Sequence, residues 1–470
     1  MAVASLDFNR KAYAEMLDWK NRLADKYALL IEGARRTGKT YLVKRFAKAE
    51  YNTFIFIDFS RSDRQTRAAK AAFAKSNDIA DLISRLELIY LVKMTAGRSC
   101  LVFDEVQRFP TAREAIKHLV EYGRYHYIET GSLVGIHENV KDILIPSEEH
   151  AMRLHPLDFE EFLDAMGASM MKEAIRERFN ARKPMGAGIH EKALDLFRQY
   201  MVAGGMPQSV AAYAGAEDSP LEACDAAKRE ILRLYEEDIG KYAKGYAAKV
   251  RSVFRMMPSA LARHEKKFHL SDIDKNARMR RYEHAFLWLA DSMVANIAWN
   301  SNNPDAGLGM NLDDTTLKLY SLDTGLLLTQ SMRGSAEADA RLLRGIRYDN
   351  IGVNEGMFFE NAVAQTLVAG GRDLFFYSRR DGNNAAGTME IDFLVQNGTK
   401  VCPIEVKSGQ YRKHASLDRF SVKFKSRLGR KYVVCTGDYL EEKGIVYVPV
   451  YMAHCLVNSP TAKPSTTYGD

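Results

Sequence analysis

The chain is predicted to be α/β: a parallel sheet covered by helices on both faces, then a helical segment, then a second α/β unit. Three observations predict this. A glycine-containing loop, Gly33 to Thr40, stands between an apolar strand and an amphipathic helix. Apolar strands and helical spacings then alternate to about residue 150, the order that builds a parallel sheet. Near the C-terminus, two strands flank Asn397 and Gly398, a dipeptide preferred in two-residue hairpin turns.

The loop reads GARRTGKT and fits GxxxxGK[ST] at Gly33, Gly38, Lys39 and Thr40. Tyr27 to Ile31 leads in as a strand; Tyr41 to Lys48, apolar at Leu42, Val43, Phe46 and Ala47, leads out as a helix. Glycines let backbone N–H groups turn onto phosphate oxygens, and the helix start adds its positive end. Lys39 brings a mobile cation to the β- and γ-phosphates, and the Thr40 hydroxyl can ligate Mg²⁺. Arg36 and Thr37, inside the same loop, are counted with it as nucleotide-binding.

Such a loop calls for acids at the end of another strand. Ser99 to Phe103 is apolar and is followed by Asp104 and Glu105. Asp104 is expected to hold Mg²⁺ through water, and Glu105 to be the base that polarises the attacking water. A further strand, Tyr125 to Ile128, ends in Glu129, Thr130, Gly131 and Ser132. A polar residue there, with Ser132 the candidate, would sense the γ-phosphate; the alternative is a glycine turn with capping hydroxyls.

The remaining elements follow in order. Residues 5 to 24 are expected to be a helix presenting Trp19 and Leu23, Thr53 to Phe59 a strand, and Ile79 to Met94 a helix, closing a first domain at 1–155. Strand signals stop at 156–250, where PLDFEEFL (Pro156 to Leu163) starts a helix and GGMP (Gly204 to Pro207) breaks two others, so this segment is read as a helical lid. At 251–330, three helices, the last Met279 to Asn296, precede a turn-rich loop from Ser301 and a strand at Thr316 to Ser321. That is winged-helix order. Its basic residues, among them Arg263, Lys266, Lys267 and Arg278, suit nucleic-acid phosphates or an ordinary solvated helix face. A second α/β unit is assigned to 331–458, and the Pro-, Ser- and Thr-rich residues 459–470 to a disordered tail.

If Asn397 and Gly398 form the turn, Gln396 faces Thr399, Asp392 faces Pro403 and Glu390 faces Glu405. Alternation then gathers Glu390, Asp392, Glu405 and Lys407 on one face, with Ile391, Phe393, Val395, Cys402, Ile404 and Val406 on the other. Like charges opposed in a hairpin need a positive neighbour, and a divalent metal helped by Lys407 is the economical one. The competing reading is a polar face paired with solvent or with Arg379 and Arg380. Residues 411–431 add eight lysines and arginines against Asp418, with Phe420 and Phe424 interleaved, a track suited to a phosphate backbone.

Composition sets outer bounds. At 470 residues more than one core is required, while 46% hydrophobic and 27% charged residues are ordinary for a globular chain. Net charge of +7 permits a polyanionic partner without demanding one. Five scattered cysteines suggest neither a disulfide framework nor a zinc site, and no run of about eighteen apolar residues proposes a membrane span. A cytoplasmic protein is expected.

Together GARRTGKT, LVFDE, MRLHPLDFEEFL, GGMP, KLYSLDTGLL (Lys318 to Leu328), IDFLV and IEVKSG resemble a prokaryotic family that joins an AAA-type ATPase to a C-terminal domain of unknown function. The C-terminal motifs resemble the PD-(D/E)xK nuclease superfamily, with Asp392, Glu405 and Lys407 at its motif positions and Glu360 at that of its extra acid. The proline expected before the aspartate is replaced by Ile391. The resemblance implies ATP and Mg²⁺ as cofactors, and metal binding by Asp392 and Glu405 completed by Glu360. It also implies water orientation by Lys407 and DNA as partner; AAA-type domains often assemble into homo-oligomers, and the oligomeric state stays open. The competing class is a non-cleaving, ATP-dependent switch or adaptor that binds nucleic acid or a protein.

Overall fold

The computed structural model describes residues 8–131, 147–263, 265–273, 275, 278–332, 336–348, 355–379 and 389–457. Ser132 and the segment from 459 lie outside them.

Five parallel strands form the first sheet: β1 (Ala28–Glu32), β2 (Thr53–Asp58), β3 (Ser99–Asp104), β4 (His126–Gly131) and β5 (Glu149–Arg153), in the order β2-β3-β4-β1-β5. All of β3 and nearly all of β1 are buried, which their unbroken apolar runs required. Helix Lys11–Arg22, through Met16 and Trp19, and helix Lys39–Glu50 pack on one face; helices Arg64–Lys75 and Ile79–Tyr90 pack on the other. The sequence reading did not include β5. As an edge strand it keeps the polar residues Glu149, His150 and Arg153, so no apolar run announces it.

Helices dominate residues 156–261. Their first, Phe159–Ala165, begins at Asp158 rather than at Pro156: Asp158 and Glu161 form a capping box that satisfies the first N–H groups. Helices Ala187–Ala203 and Pro207–Gly215 are separated at the expected GGMP break, and helices Pro220–Tyr242 and Ala247–Leu261 follow.

The second sheet has eight strands: β6 (Ala295–Ser301), β7 (Leu312–Ser321), β8 (Leu374–Arg379), β9 (Met389–Asn397), β10 (Lys400–Lys407), β11 (Lys431–Cys435), β12 (Leu440–Glu442) and β13 (Ile445–Pro449). Their order is β12-β13-β11-β10-β9-β8-β6-β7. This corrects the winged-helix reading. The helix expected to reach Asn296 ends at Asp291, and β6 and β7 pair with each other while β6 also pairs in parallel with β8. A lone two-stranded ribbon buries too little apolar surface to stand by itself; joined to the sheet, Ala298, Leu317 and Leu319 enter one core with Phe376. Helix Glu355–Ala369 contributes to that core, and helix Ala415–Lys423 covers the other face through Leu417 and Phe420.

The helical segment and the second sheet meet at Asp323, a fully buried carboxylate. Asp323 Oδ2 accepts the Gly205 N–H at 2.6 Å, and Asp323 Oδ1 caps helix Thr324–Ser331 by accepting the Leu326 N–H at 2.9 Å. Gln365, on helix Glu355–Ala369, donates to the same carboxylate at 3.4 Å. Burial pushes the pKa of Asp323 up, and these donors oppose the rise. Gly205 in turn accepts the Leu157 N–H at 2.7 Å, an approach so close that any Cβ would strike the Leu157 backbone. Asp323→Ala strips a helix cap and leaves the Gly205 N–H buried without a partner. The expected loss is about 2–4 kcal/mol, read as a lower denaturation midpoint in urea, with Asp323→Asn losing less.

A second tie closes from the C-terminal turn Val450–Leu456. His454 Nε2 lies 3.2 Å from Glu160 and 3.3 Å from the Cys455 sulfur, and Arg176 and Lys11 also pair with Glu160. Burial pulls the His454 pKa down, but the Cys455 sulfur and the Glu160 carboxylate outweigh it and raise the pKa from 6.5 to about 10. A raised folded-state pKa gives stability that is whole below 6.5 and is lost as pH climbs towards 10. Stability is therefore expected to fall from pH 7 to pH 10, and His454→Phe to flatten that slope in pH-resolved urea titrations.

Candidate functional site

At the first sheet, the loop leaves β1 and enters helix Lys39–Glu50 through Gly38, whose φ of +95° suits glycine alone. Arg36 also has a positive φ, +70°. The Thr37 hydroxyl donates to the Ala34 carbonyl at 2.9 Å, and Lys39 Nζ donates to the carbonyls of Gly33 and Ala34 at 2.8 and 3.0 Å. Burial holds Lys39 below its ordinary pKa, against the pull of Glu105 and Asp104. An amine turned onto two loop carbonyls can transfer to phosphate oxygens with little motion of the backbone.

The acids stand where the sequence placed them. Thr40 Oγ1 donates to both oxygens of Asp104 at 2.9 and 3.0 Å, so hydroxyl and carboxylate offer adjacent oxygens to a hard cation, and the pair fits Mg²⁺. Glu105 has a φ of +57°, a costly value for a residue with a side chain. Its N–H donates to Thr130 Oγ1, and Gln107 donates to its carboxylate at 2.9 Å. Thr130 also donates to Asp104 at 2.5 Å. Among the described residues, the polar side chain that β4 brings beside the acidic pair is Thr130; the candidate Ser132 lies outside them.

Other contributors were not singled out by the sequence. Arg10, buried, donates to the Thr37 carbonyl at 3.1 Å and to the His155 carbonyl at 2.6 Å, binding the loop to the chain entering the helical segment. Across the pocket, whose volume is about 650 Å³, stand Gln208, Asp238, Lys241 and Tyr242. Arg35 pairs with Asp238 at 2.9 Å, and the Tyr235 hydroxyl donates to the Arg35 carbonyl at 3.0 Å. No local pattern signals a partner two hundred positions away.

In the second sheet, a cleft of about 720 Å³ gathers Glu390, Asp392, Glu405 and Lys407, with Arg263 and Lys266 at its wall. The hairpin register differs from expectation. Asn397 faces Lys400, Gln396 faces Val401 and Phe393 faces Ile404, so Gly398 and Thr399 are the turn. Gly398 supplies a φ of +59°. A two-residue displacement leaves the alternation of β10 unchanged and sets Pro403 opposite Leu394 instead of Asp392. Against β8, strand β9 carries one extra residue between Ile391 and Leu394. That bulge corrects the face assignment: Phe393 enters one core and Ile391 the other, although they were expected together.

Glu360, expected to complete a metal environment, is occupied by lysines. It pairs with Lys266 and, at 3.2 Å, with Lys318, and accepts the Tyr320 hydroxyl at 2.5 Å. Burial would raise its pKa; Lys266 and Lys318 hold it down at about 2. Lys318, fully buried on β7, also lies 2.8 Å from Glu390 and 3.5 Å from Asp392. Among the described residues, no three His, Cys, Asp or Glu are grouped to hold a metal. Asp392 Oδ2 accepts the Val406 N–H at 2.9 Å, and Lys407 pairs with Glu405 Oε1 at 2.7 Å. Glu405 Oε2 is buried with no hydrogen-bond partner. Burial raises the Glu405 pKa, opposed by Lys407. Asp392 and Glu405 therefore fit one Mg²⁺, which commonly takes one or two carboxylates and completes its shell with water and substrate phosphate.

Helix Ala415–Lys423 lies beside this cleft, with Ser416 on its wall and Lys413, Arg419, Lys423 and Lys425 exposed along and around it. The basic stretch near 263–281 is less available than its composition suggests, because Arg263 pairs with Asp272, Lys266 with Glu360 and Lys267 with Glu265. No helix among the described residues is long and apolar enough to cross a membrane.

Loop, acidic pair and strand order define a P-loop nucleotide-binding domain. Residues 25–163 match the family model described as AAA domain, so this is an AAA-type, ATP-binding domain. Residues 194–337 and 355–453 match two models described as domains of unknown function, DUF8612 and DUF4143. A search of the curated proteins returns no match. Among solved structures, the chain is similar to the Walker-type ATPase PABY2304 of Pyrococcus abyssi, at 15% identity over 69% of this chain and 96% of that one, with a TM-score of 0.44. It is also similar to the Aeropyrum pernix ORC1 protein in complex with DNA, at 12% identity over 72% and 96% of the two chains and a TM-score of 0.30.

Proposed function

We propose that the chain hydrolyses ATP and that its nucleotide state controls how the C-terminal cleft engages DNA. One observation carries the reading: the pocket beside the P-loop is walled by helices Pro207–Gly215 and Pro220–Tyr242, and this helical segment is hydrogen-bonded through Gly205 and Asp323 to the helix bearing Glu360. A phosphate competing for Arg35 would loosen Asp238, and with it the lid.

In this scheme Lys39 and the loop N–H groups hold the phosphates, Thr40 and Asp104 hold Mg²⁺, and Glu105 takes a proton from the attacking water. Thr130 keeps Asp104 and Glu105 in register. Bound Mg²⁺ supplies charge neutralisation for the phosphates. Lys39→Ala is expected to weaken nucleotide binding and lower turnover on the order of 10²-fold or more. Glu105→Gln is expected to keep binding while hydrolysis falls roughly 10²–10⁴-fold, as read by nucleotide fluorescence and phosphate release. Equal hydrolysis by Lys39→Ala and the parent would remove the loop from the chemistry.

At the second site, DNA is expected to lie along helix Ala415–Lys423, with Asp392 and Glu405 holding a metal and Lys407 orienting the attacking water for phosphodiester cleavage. The metal supplies Lewis-acid chemistry to the phosphate when bound. The competing reading, a non-cleaving switch or adaptor, is favoured by the lysines already seated among the acids. Labelled single- and double-stranded DNA, incubated with Mg²⁺ or Mn²⁺ with and without ATP, separates the two. Cleavage lost in Asp392→Ala supports the nuclease. Salt-dependent binding that survives Asp392→Ala, with no product under any condition, supports the switch.

A further inference from the structure

We infer that Lys318 is the permanent second cation of this cleft, so that the site takes a single divalent ion, held between Asp392 and Glu405. The inference rests on the metal-binding reading of those two carboxylates and adds to it the number of ions and the residue that sets it.

Sites that handle phosphodiesters with two metal ions place them about 3.5–4 Å apart, with a carboxylate shared between them. Here Asp392 occupies the shared position. Its Oδ1 is 3.5 Å from Lys318 Nζ, and Glu405 lines the same cleft. On the far side of Asp392 the ammonium already satisfies Glu360 at 3.2 Å and Glu390 at 2.8 Å. On the near side Glu405, in the same cleft lining as Asp392, has its Oε2 buried without a hydrogen-bond partner.

Lys318 is well suited to be a fixture. It projects from β7, its side chain is wholly buried, and its ammonium lies 5.2 Å from the centre of the Phe376 ring, a further contact favouring positive charge. Leaving such a cation uncompensated would be costly, and so would leaving the acids without it. Neither can depart with solvent, as a loosely held metal can.

Charge gives the same answer. Lys318 sets one ammonium against Glu360, Glu390 and Asp392, so a second divalent ion would have to settle beside a buried ammonium.

The test is Mn²⁺ titration of the nucleotide-free full chain followed by electron paramagnetic resonance, counting the ions lost on Asp392→Asn. The parent is expected to bind one such ion and Lys318→Met two, the second taken by Glu390 and by Glu360 Oε1, the oxygen that Lys318 gives up. Two Asp392-dependent ions in the parent would overturn the inference while leaving the metal site intact. None in the parent would remove the metal-site reading and the inference with it. A count of one in Lys318→Met would show that Lys318 does not set the number. Should Lys318→Met not fold, the parent count alone decides between one ion and two.

Discussion

The carboxylate of Asp323 is the contact on which the arrangement depends. It is buried, and three separate elements donate to it: the backbone at Gly205, the first turn of helix Thr324–Ser331, and Gln365 on the helix that carries Glu360. A buried charge is retained only where donors compensate it, so removing any of the three unbalances the other two. Its position makes it a joint as well as a cap. On one side the chain passes from Gly205 through Leu157 and His155 to Arg10 and the P-loop; on the other it reaches the acids of the second sheet.

Nucleotide chemistry was legible because it is local. A phosphate loop needs glycines, a lysine and a hydroxyl within eight positions, and an acidic pair must follow a buried strand; both requirements leave contiguous marks. The C-terminal hairpin was legible in the same way, down to which residues alternate on β10. Its register was not, because Asn397 and Gly398 make a good turn and so do Gly398 and Thr399, and the pairing energy of the whole ribbon decides. The bulge at Asp392 and Phe393 left no local mark either, since it answers to the neighbouring β8.

The residues that escaped notice are those whose partners are distant. Lys318 reads as one lysine on an ordinary strand until Glu360, Glu390 and Asp392 are folded around it. Thr130 does stand among the polar residues that the sequence puts at the end of β4, but its relation to Asp104 follows from the order of the strands, not from spacing. The strands β6 and β7 were assigned to a wing because helices followed by a strand pair is a familiar order. Membership of a sheet is set by which edge the ribbon meets, and here it meets β8.

If ATP acts on the C-terminal cleft through the helical segment, nucleotide must alter backbone protection beyond the pocket that binds it. Hydrogen exchange resolved by peptide, with and without a non-hydrolysable ATP analogue, reads this directly. The account predicts changed protection in residues 324–331 and 355–369 as well as 33–40 and 207–242, absent in Lys39→Ala. Changes confined to 33–40 and 207–242 would contradict it, leaving two sites that share a chain without sharing a mechanism.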